Sequence, residues 1–192
     1  NGGVYGSGLL GAYIVGTRHT MMGCAIDPAY GGEHAVRNPY IDRGVISHNY
    51  LARPAGSKHS WTLRGADQAR TGVLIGAGMT TQKVVAAENV FFNDLNAWTV
   101  TVAPQNTSVD ERLEDVIVER NYFVGGSGTD IAFVSRGSVT NLSVRNNVFN
   151  LTGNAGSSGP SAMSLSGYSD LVVPVSSGHV IANNTIYRSD AV

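Results

Sequence analysis

The segment Ile117-Val118-Glu119-Arg120-Asn121-Tyr122-Phe123 has four counterparts in the chain. They are Val45-Ile46-Ser47-His48-Asn49-Tyr50-Leu51, Val85-Ala86-Ala87-Glu88-Asn89-Val90-Phe91, Ser143-Val144-Arg145-Asn146-Asn147-Val148-Phe149 and Val180-Ile181-Ala182-Asn183-Asn184-Thr185-Ile186. Each places a few β-formers before an asparagine and a bulky apolar residue two positions after it. The asparagines fall at 49, 89, 121, 147 and 184, at spacings of 40, 32, 26 and 37. Self-similarity at periods of roughly 20–50 residues marks a coil of repeated units, each able to bury its apolar face only against its neighbours.

A second series of alternating runs lies between these units: Glu33–Asn38, His59–Arg64, Ala97–Val102, Asp130–Ser135 and Ala162–Ser166. Alternation with a period of two puts Trp61 and Leu63, then Trp98, Val100 and Val102, then Ile131 and Phe133, then Met163 and Leu165 on one face. The same parity turns His59 inward, as an interior histidine. In the asparagine series it points Val84, Ala86, Val116, Val118, Leu142 and Val144 inward, with Leu51, Phe91, Phe123, Phe149 and Ile186 in one stacked column. The tightest unit, 115–141, reads as strand 116–119, a corner at Asn121, strand 122–124, a glycine loop at 125–128 and strand 130–135. Three strands per turn with asparagine at a sharp corner is the pattern of a right-handed parallel β-helix, here of about five to six rungs. Asparagine tolerates a left-handed corner, and stacked amides can hydrogen-bond along the axis. An antiparallel sandwich also predicts alternation, but not an asparagine and an apolar residue at fixed offset in every unit.

The longer spacings require loops leaving the coil near 65–81, 103–114, 153–160 and 167–178; such excursions commonly build a binding wall. Tyr13–Met22 resembles a further rung, and neither end shows a capping helix. One β-helix domain over 1–192, cut from a larger chain or completed by a homo-oligomer, is therefore expected.

Composition narrows the partners. A net charge of −1 over 192 residues argues against a general nucleic-acid or membrane-surface binder. Low charge (14%) with 24 glycines suits a secreted, extracellular or cell-surface glycan-handling protein. One cysteine, Cys24, excludes an intrachain disulfide. Asn-x-Ser/Thr sequons at 141 and 183 sit beside the ladder and follow from its composition.

Unusual side chains bunch early. Four of five histidines (His19, His34, His48, His59) precede residue 60, and Gly31–Arg64 carries Glu33, Arg37, Arg43, Arg53, Lys58 and Arg64. Arg37 and Arg64 each follow an inward residue and should face outward on adjacent rungs, about 4.8 Å apart. Like charges side by side call for an anion. Against this, His48 occupies a corner filled elsewhere by Glu88, Arg120 and Asn146 and reads as a solvated turn residue, while Glu119 and Arg145 read as a surface ion pair. Thr99 and Thr101 would point outward together, too few for a repeating threonine array.

The segment Gly31-Gly32-Glu33-His34-Ala35-Val36-Arg37-Asn38-Pro39-Tyr40, followed by Ile46-Ser47-His48-Asn49-Tyr50-Leu51 and Thr62-Leu63-Arg64-Gly65, resembles polysaccharide lyase family six. That family includes chondroitinase B and alginate lyases within the pectate-lyase-like β-helix superfamily. The resemblance covers about 35 of 192 residues. It implies a calcium ion neutralising a uronate carboxylate, with Glu33 as its first carboxylate ligand, and Arg64 as the acid. The second carboxylate position holds Ala35, and the lysine-base position falls near Pro39 or Tyr40.

Two functions follow as expectations. One is β-elimination of an acidic polysaccharide, with Arg64, Arg37 and Lys58 neutralising or donating and His34, His59 or Tyr40 accepting the proton. The other is a non-catalytic glycan-binding, adhesin or phage tailspike-like β-helix. Hydrolysis by paired carboxylates is weaker, since Asp67 and Asp94 form no recognisable motif.

Overall fold

The computed structural model describes residues 3–5, 12–65, 80–94, 98–104, 111–125, 131–151, 161–166 and 176–188. The four excursion loops expected from the spacings lie largely outside these residues, as do most of the glycine loop at 125–128 and Asp67.

The described residues contain seventeen strands and no helix. One parallel sheet joins β1 (Gly3–Tyr5), β3 (Ala25–Asp27), β5 (Tyr50–Ala52), β8 (Val90–Phe92), β11 (Tyr122–Val124), β14 (Val148–Asn150) and β17 (Thr185–Tyr187) in that order. The second is centred on the long β4 (Val36–Ser47), which pairs with β2 (Ala12–Met22). The first half of β4 carries β6 (Trp61–Leu63), β9 (Val100–Val102), β12 (Ile131–Arg136) and β15 (Ser161–Ser166). Its second half carries β7 (Thr80–Ala87), β10 (Arg112–Glu119), β13 (Val139–Arg145) and β16 (Val180–Ala182). Successive circuits, for example β10–β11–β12 and then β13–β14–β15, therefore add one strand to each of three strips. This all-β, curled parallel arrangement is compatible with a solenoid.

Register makes like residues stack. Leu51, Phe91, Phe123, Phe149 and Ile186 align as partners in sequence, with Ile26 before them. The ring centroids of Phe91 and Phe123 lie 5.2 Å apart, and those of Phe123 and Phe149 4.6 Å apart. Leu51 and the three phenylalanines are fully buried, whereas Ile186 and Leu165 in the last described strands are exposed. Val84, Val116 and Leu142 form a second inward column, and Ala86, Val118 and Val144 a third. Gly44 belongs to the Val84 column, where Ile41 takes the missing volume: a Cβ on Gly44 would meet Ile41 Cγ2 at 2.5 Å.

The asparagine corner differs from expectation in one respect. The left-handed residue is not the asparagine but the one before it: His48, Glu88, Arg120, Asn146 and Asn183 have φ between 52° and 58°. A second left-handed residue sits five positions earlier in each unit, at Arg43, Lys83, Asp115, Asn141 and Gly178. The asparagine itself turns its amide into the corner. Asn49, Asn89 and Asn121 each donate from Nδ2 to Oδ1 of the next ladder asparagine at 2.9–3.1 Å, and Asn147 does so to Asn184 at 3.0 Å. The preceding left-handed side chains face solvent and pair along the axis, His48 with Glu88 and Glu88 with Arg120. Arg145 meets Glu119 at 2.8 Å, the expected surface ion pair. Thr99 and Thr101 are buried rather than displayed, with the Thr99 hydroxyl donating to the Val124 carbonyl at 3.2 Å.

Phe123→Ala is expected to cost about 3–5 kcal/mol in denaturant unfolding, because it opens a cavity between the Phe91 and Phe149 rings. Asn121→Ala should cost at least about 2 kcal/mol, since it strips partners from buried groups on both neighbouring circuits. A loss below about 1 kcal/mol for either would contradict the stacked interior.

Candidate functional site: a cation-flanked histidine stack

Three loops stack at the corner between the short-strand sheet and the β4–β6–β9 strip. They span 28–35, 53–60 and 93–99, the last described except for 95–97. Backbone bonds tie each loop to the next: Tyr30 N–H donates to the Arg53 carbonyl (2.8 Å), Ala55 N–H to that of Glu33 (3.0 Å) and Ser60 N–H to that of Thr99 (2.9 Å). The Asn93 amide donates to the Lys58 carbonyl at 3.1 Å and the Trp98 carbonyl at 3.2 Å.

The ends of these loops carry His34, His59 and Trp98 in a column. The two imidazole centroids are 4.8 Å apart, and His59 stacks on Trp98 at 5.4 Å with planes 7° from parallel. The Arg136 guanidinium lies 4.1 Å from the Trp98 ring centroid, on the far end of the stack. Alternation expected His59 and Trp98 inside, in line with Trp61 and Val100. His59 is buried as expected, whereas Trp98 precedes its strand, β9 starting at Val100, and the parity of that strand does not extend back to it. Trp98 is half-buried against His59 and Arg136 and does not join the core.

Hydrogen bonding distinguishes the two histidines. His34 Nδ1 accepts the His59 backbone N–H at 2.9 Å, so neutral His34 carries its proton on Nε2, which faces Glu33 Oε2 at 3.7 Å. Glu33 Oε1 meets Lys58 Nζ at 3.2 Å. His59 Nδ1 is buried with no hydrogen-bond partner among the described residues.

His34 and His59 are 3% and 7% exposed. Burial pushes His34 down to about 2, and the charges of His59, Arg64, Arg37 and Lys58 press in the same direction. Burial likewise pushes His59 down to about 3, followed by Arg64, Lys58, Arg37 and Arg136. Four cations thus act on one imidazole pair, and both rings are neutral at physiological pH.

Of the six residues singled out from the sequence, Glu33, His34, Lys58 and His59 contact one another at this corner, and the charges of Arg37 and Arg64 act on both imidazoles. Arg37 is 4% exposed and pairs in register with Thr62, which pairs with Thr101; Val134 follows. The Thr62 and Thr101 hydroxyls are buried without hydrogen-bond partners among the described residues. Arg64 Nη1 donates to the Pro104 carbonyl at 3.3 Å. Sequence reasoning missed Arg136 and misplaced Trp98. The signal for Arg136 was its register: it follows Ser135, which aligns with Val102 and Leu63, just as Arg64 follows Leu63. Tyr40, considered as a base, is raised by burial and by Asp42, with Arg43 opposing, and none of the stacked-corner residues acts on it.

Calcium does not fit the described donors. Glu33 supplies one carboxylate, already beside Lys58, and the second ligand position is the buried Ala35. Among the described residues no cluster of three or more His, Cys, Asp or Glu side chains could hold a metal. An oxygen-rich ligand set is what calcium requires, so the cations themselves are the groups here suited to an anion.

Comparison of the chain with protein-family models, curated proteins and solved structures finds no match.

The histidine pair makes stability depend on pH. An unfolded histidine titrates near 6.5, whereas His34 and His59 in the fold are held at about 2 and about 3. The unfolded state therefore takes up protons first as the pH falls. Stability from the neutral pair is complete above about pH 6.5 and is lost toward pH 3, by up to about 1.4 kcal/mol per pH unit for each histidine. Thermal melts across this window should show a smaller decline in Tm for His59→Gln than for the native protein; equal declines would contradict the assignment.

Proposed function

We propose that this chain is a right-handed parallel β-helix of about five to six rungs, of pectate-lyase-like type and secreted or displayed at a cell surface. At the His34–His59–Trp98 corner it binds an acidic polysaccharide and cleaves it by β-elimination. The observation that carries the reading is a neutral, stacked imidazole pair held among Arg37, Lys58, Arg64 and Arg136.

Elimination from a uronate needs three things: neutralisation of the carboxylate, removal of the adjacent C5 proton and protonation of the departing glycosidic oxygen. Arg37 and Arg64 suit the first task, since guanidinium groups match carboxylates and stay charged. His59 suits the second, because its Nδ1 has no described partner while His34 Nδ1 is engaged. Its low proton affinity rises as the incoming carboxylate offsets part of the surrounding positive charge. Lys58 suits the third better than Arg64 does, because an ammonium gives up a proton far more readily than a guanidinium. The C5–H electron pair becomes the C4–C5 double bond, the C4–O bond breaks, and the oxygen leaves with the lysine proton.

A second reading, a non-catalytic glycan-binding, adhesin or tailspike-like β-helix, draws on the burial of both imidazoles and on the Glu33–Lys58 pair, which occupies the amine. Incubation with alginate, pectate and chondroitin separates the two. The lyase reading expects growing absorbance from unsaturated uronate, lowered about 10²-fold or more in His59→Ala. Binding without that absorbance would leave only the second reading. Under both, Arg64→Ala should weaken acidic-oligosaccharide binding about tenfold or more, as should raised salt. Unchanged binding by this variant would place the site elsewhere.

A further inference from the structure

The short-strand sheet has an outer face unlike the rest of the coil. Strands β8, β11 and β14 each bury only their middle residue, so their first and third residues point outward. Register stacks these outward residues into two columns. The first runs Tyr50, Val90, Tyr122, Val148 and Thr185. The second runs Phe92, Val124, Asn150 and Tyr187. No position in either column carries a charge. The strip formed by β7, β10 and β13, by contrast, presents Lys83, Asp115 and Arg145, all exposed.

The rings on this face are partly wet and held in place. Tyr50 and Tyr187 are 41% and 44% exposed, while Phe92 and Tyr122 are half-buried. The Tyr122 hydroxyl accepts an N–H of the Asn150 amide at 2.9 Å and lies 3.3 Å from the Tyr187 hydroxyl. Tyr122 and Tyr187 start two circuits apart, about 10 Å, so their hydroxyls meet only because the rings lean toward each other over the sheet. The core does not require these side chains, since the same strands fill it from their other side with Leu51, Phe91, Phe123 and Phe149. A water-facing strand surface ordinarily alternates to polar residues, and an apolar one marks a place where something binds.

We propose that this face is a second binding site, which holds one extended chain of an uncharged β-1,4-linked polysaccharide along the coil axis. The proposal does not rest on the acidic-glycan reading above. Size separates a sugar chain from a protein partner. Five strands, β5 to β17, make a strip about 20 Å long and two outward positions about 7 Å wide, on the order of 150 Å². A stable protein interface takes about 800 Å² from each partner, so a second copy of this chain is not the occupant.

Charge and shape narrow the ligand further. An anionic chain would find no cation within the columns to offset the loss of its hydration. A β-1,4-linked chain of uncharged sugars is a straight ribbon with flat C–H faces and hydroxyls along its edges. Aromatic rings lying over a sheet match such a face, and the strip is straight because each circuit adds one strand in register. Alternate sugars of the ribbon present the same side. Tyr50 and Tyr122 likewise recur every second circuit, with Val90 between them.

Calorimetric titration of the full chain with cellohexaose tests this, with maltohexaose as the coiled, α-linked control. The native protein should bind cellohexaose about tenfold or more tightly than maltohexaose, and raised salt should leave that affinity unchanged. Tyr50→Ala should weaken cellohexaose binding severalfold while leaving galacturonate hexamer binding at its native level. Val90→Tyr, which fills the gap between Tyr50 and Tyr122, should strengthen cellohexaose binding severalfold, a gain that misfolding cannot imitate. The site is overturned if cellohexaose fails to bind or binds no better than maltohexaose. It is equally overturned if Tyr50→Ala and Val90→Tyr both leave the affinity unchanged, or if the native chain self-associates in a way that Tyr50→Ala abolishes. Failure of galacturonate to bind the native protein would count against the acidic-glycan reading alone.

Discussion

Each ladder asparagine satisfies its amide with groups from other circuits. Asn89 Nδ2 donates to the Ile46 carbonyl at 2.8 Å and to Asn121 Oδ1 at 2.9 Å. Its Oδ1 accepts both the side-chain and the backbone N–H of Asn49, at 2.9 and 3.0 Å. Asn121 and Asn147 repeat the arrangement with their own neighbours. Buried amides are costly unless every donor and acceptor is met. Here the only way to meet them is to hold successive circuits in one register, since a slip of one residue would also send every apolar side chain to the opposite face.

That constraint lets the chain between ladder positions vary from 26 to 40 residues without disturbing the core. The phenylalanine column and the two further apolar columns remain aligned across all of these spacings. The left-handed residue before each asparagine makes the sharp corner, and its side chain projects outward. This is why histidine, glutamate, arginine and asparagine all serve there.

The same register places three loop ends above one another at a different corner, which is how His34, His59 and Trp98 become a stack. Burial keeps the imidazoles uncharged, and the surrounding arginines and lysine reinforce that. A neutral nitrogen base beside fixed positive charge is suited to a ligand that brings its own negative charge. Among the described residues, Glu33 is the carboxylate that meets this cluster, its Oε1 tied to Lys58 and its Oε2 3.7 Å from His34 Nε2.

Much of this was legible in the chain alone. The constant offset between Asn121 and Phe123, and between Asn89 and Phe91, located the interior column because stacking requires identical spacing in each unit. The bunching of Glu33, His34, Arg37, Lys58, His59 and Arg64 located the corner, because two neighbouring circuits carry all six. Alternation put His59 in the interior, and it is buried, but it failed at Trp98, which lies just outside its strand and is half-buried. Arg136 was hidden because it is 72 residues from Arg64 in sequence and shares its column, two circuits on, only through register. The sequence by itself thus determined the repeat, the amide ladder and the apolar columns, all of which follow from local spacing. Only the tertiary structure decided which ring faces which cation, because that depends on loops from separate circuits closing over one another.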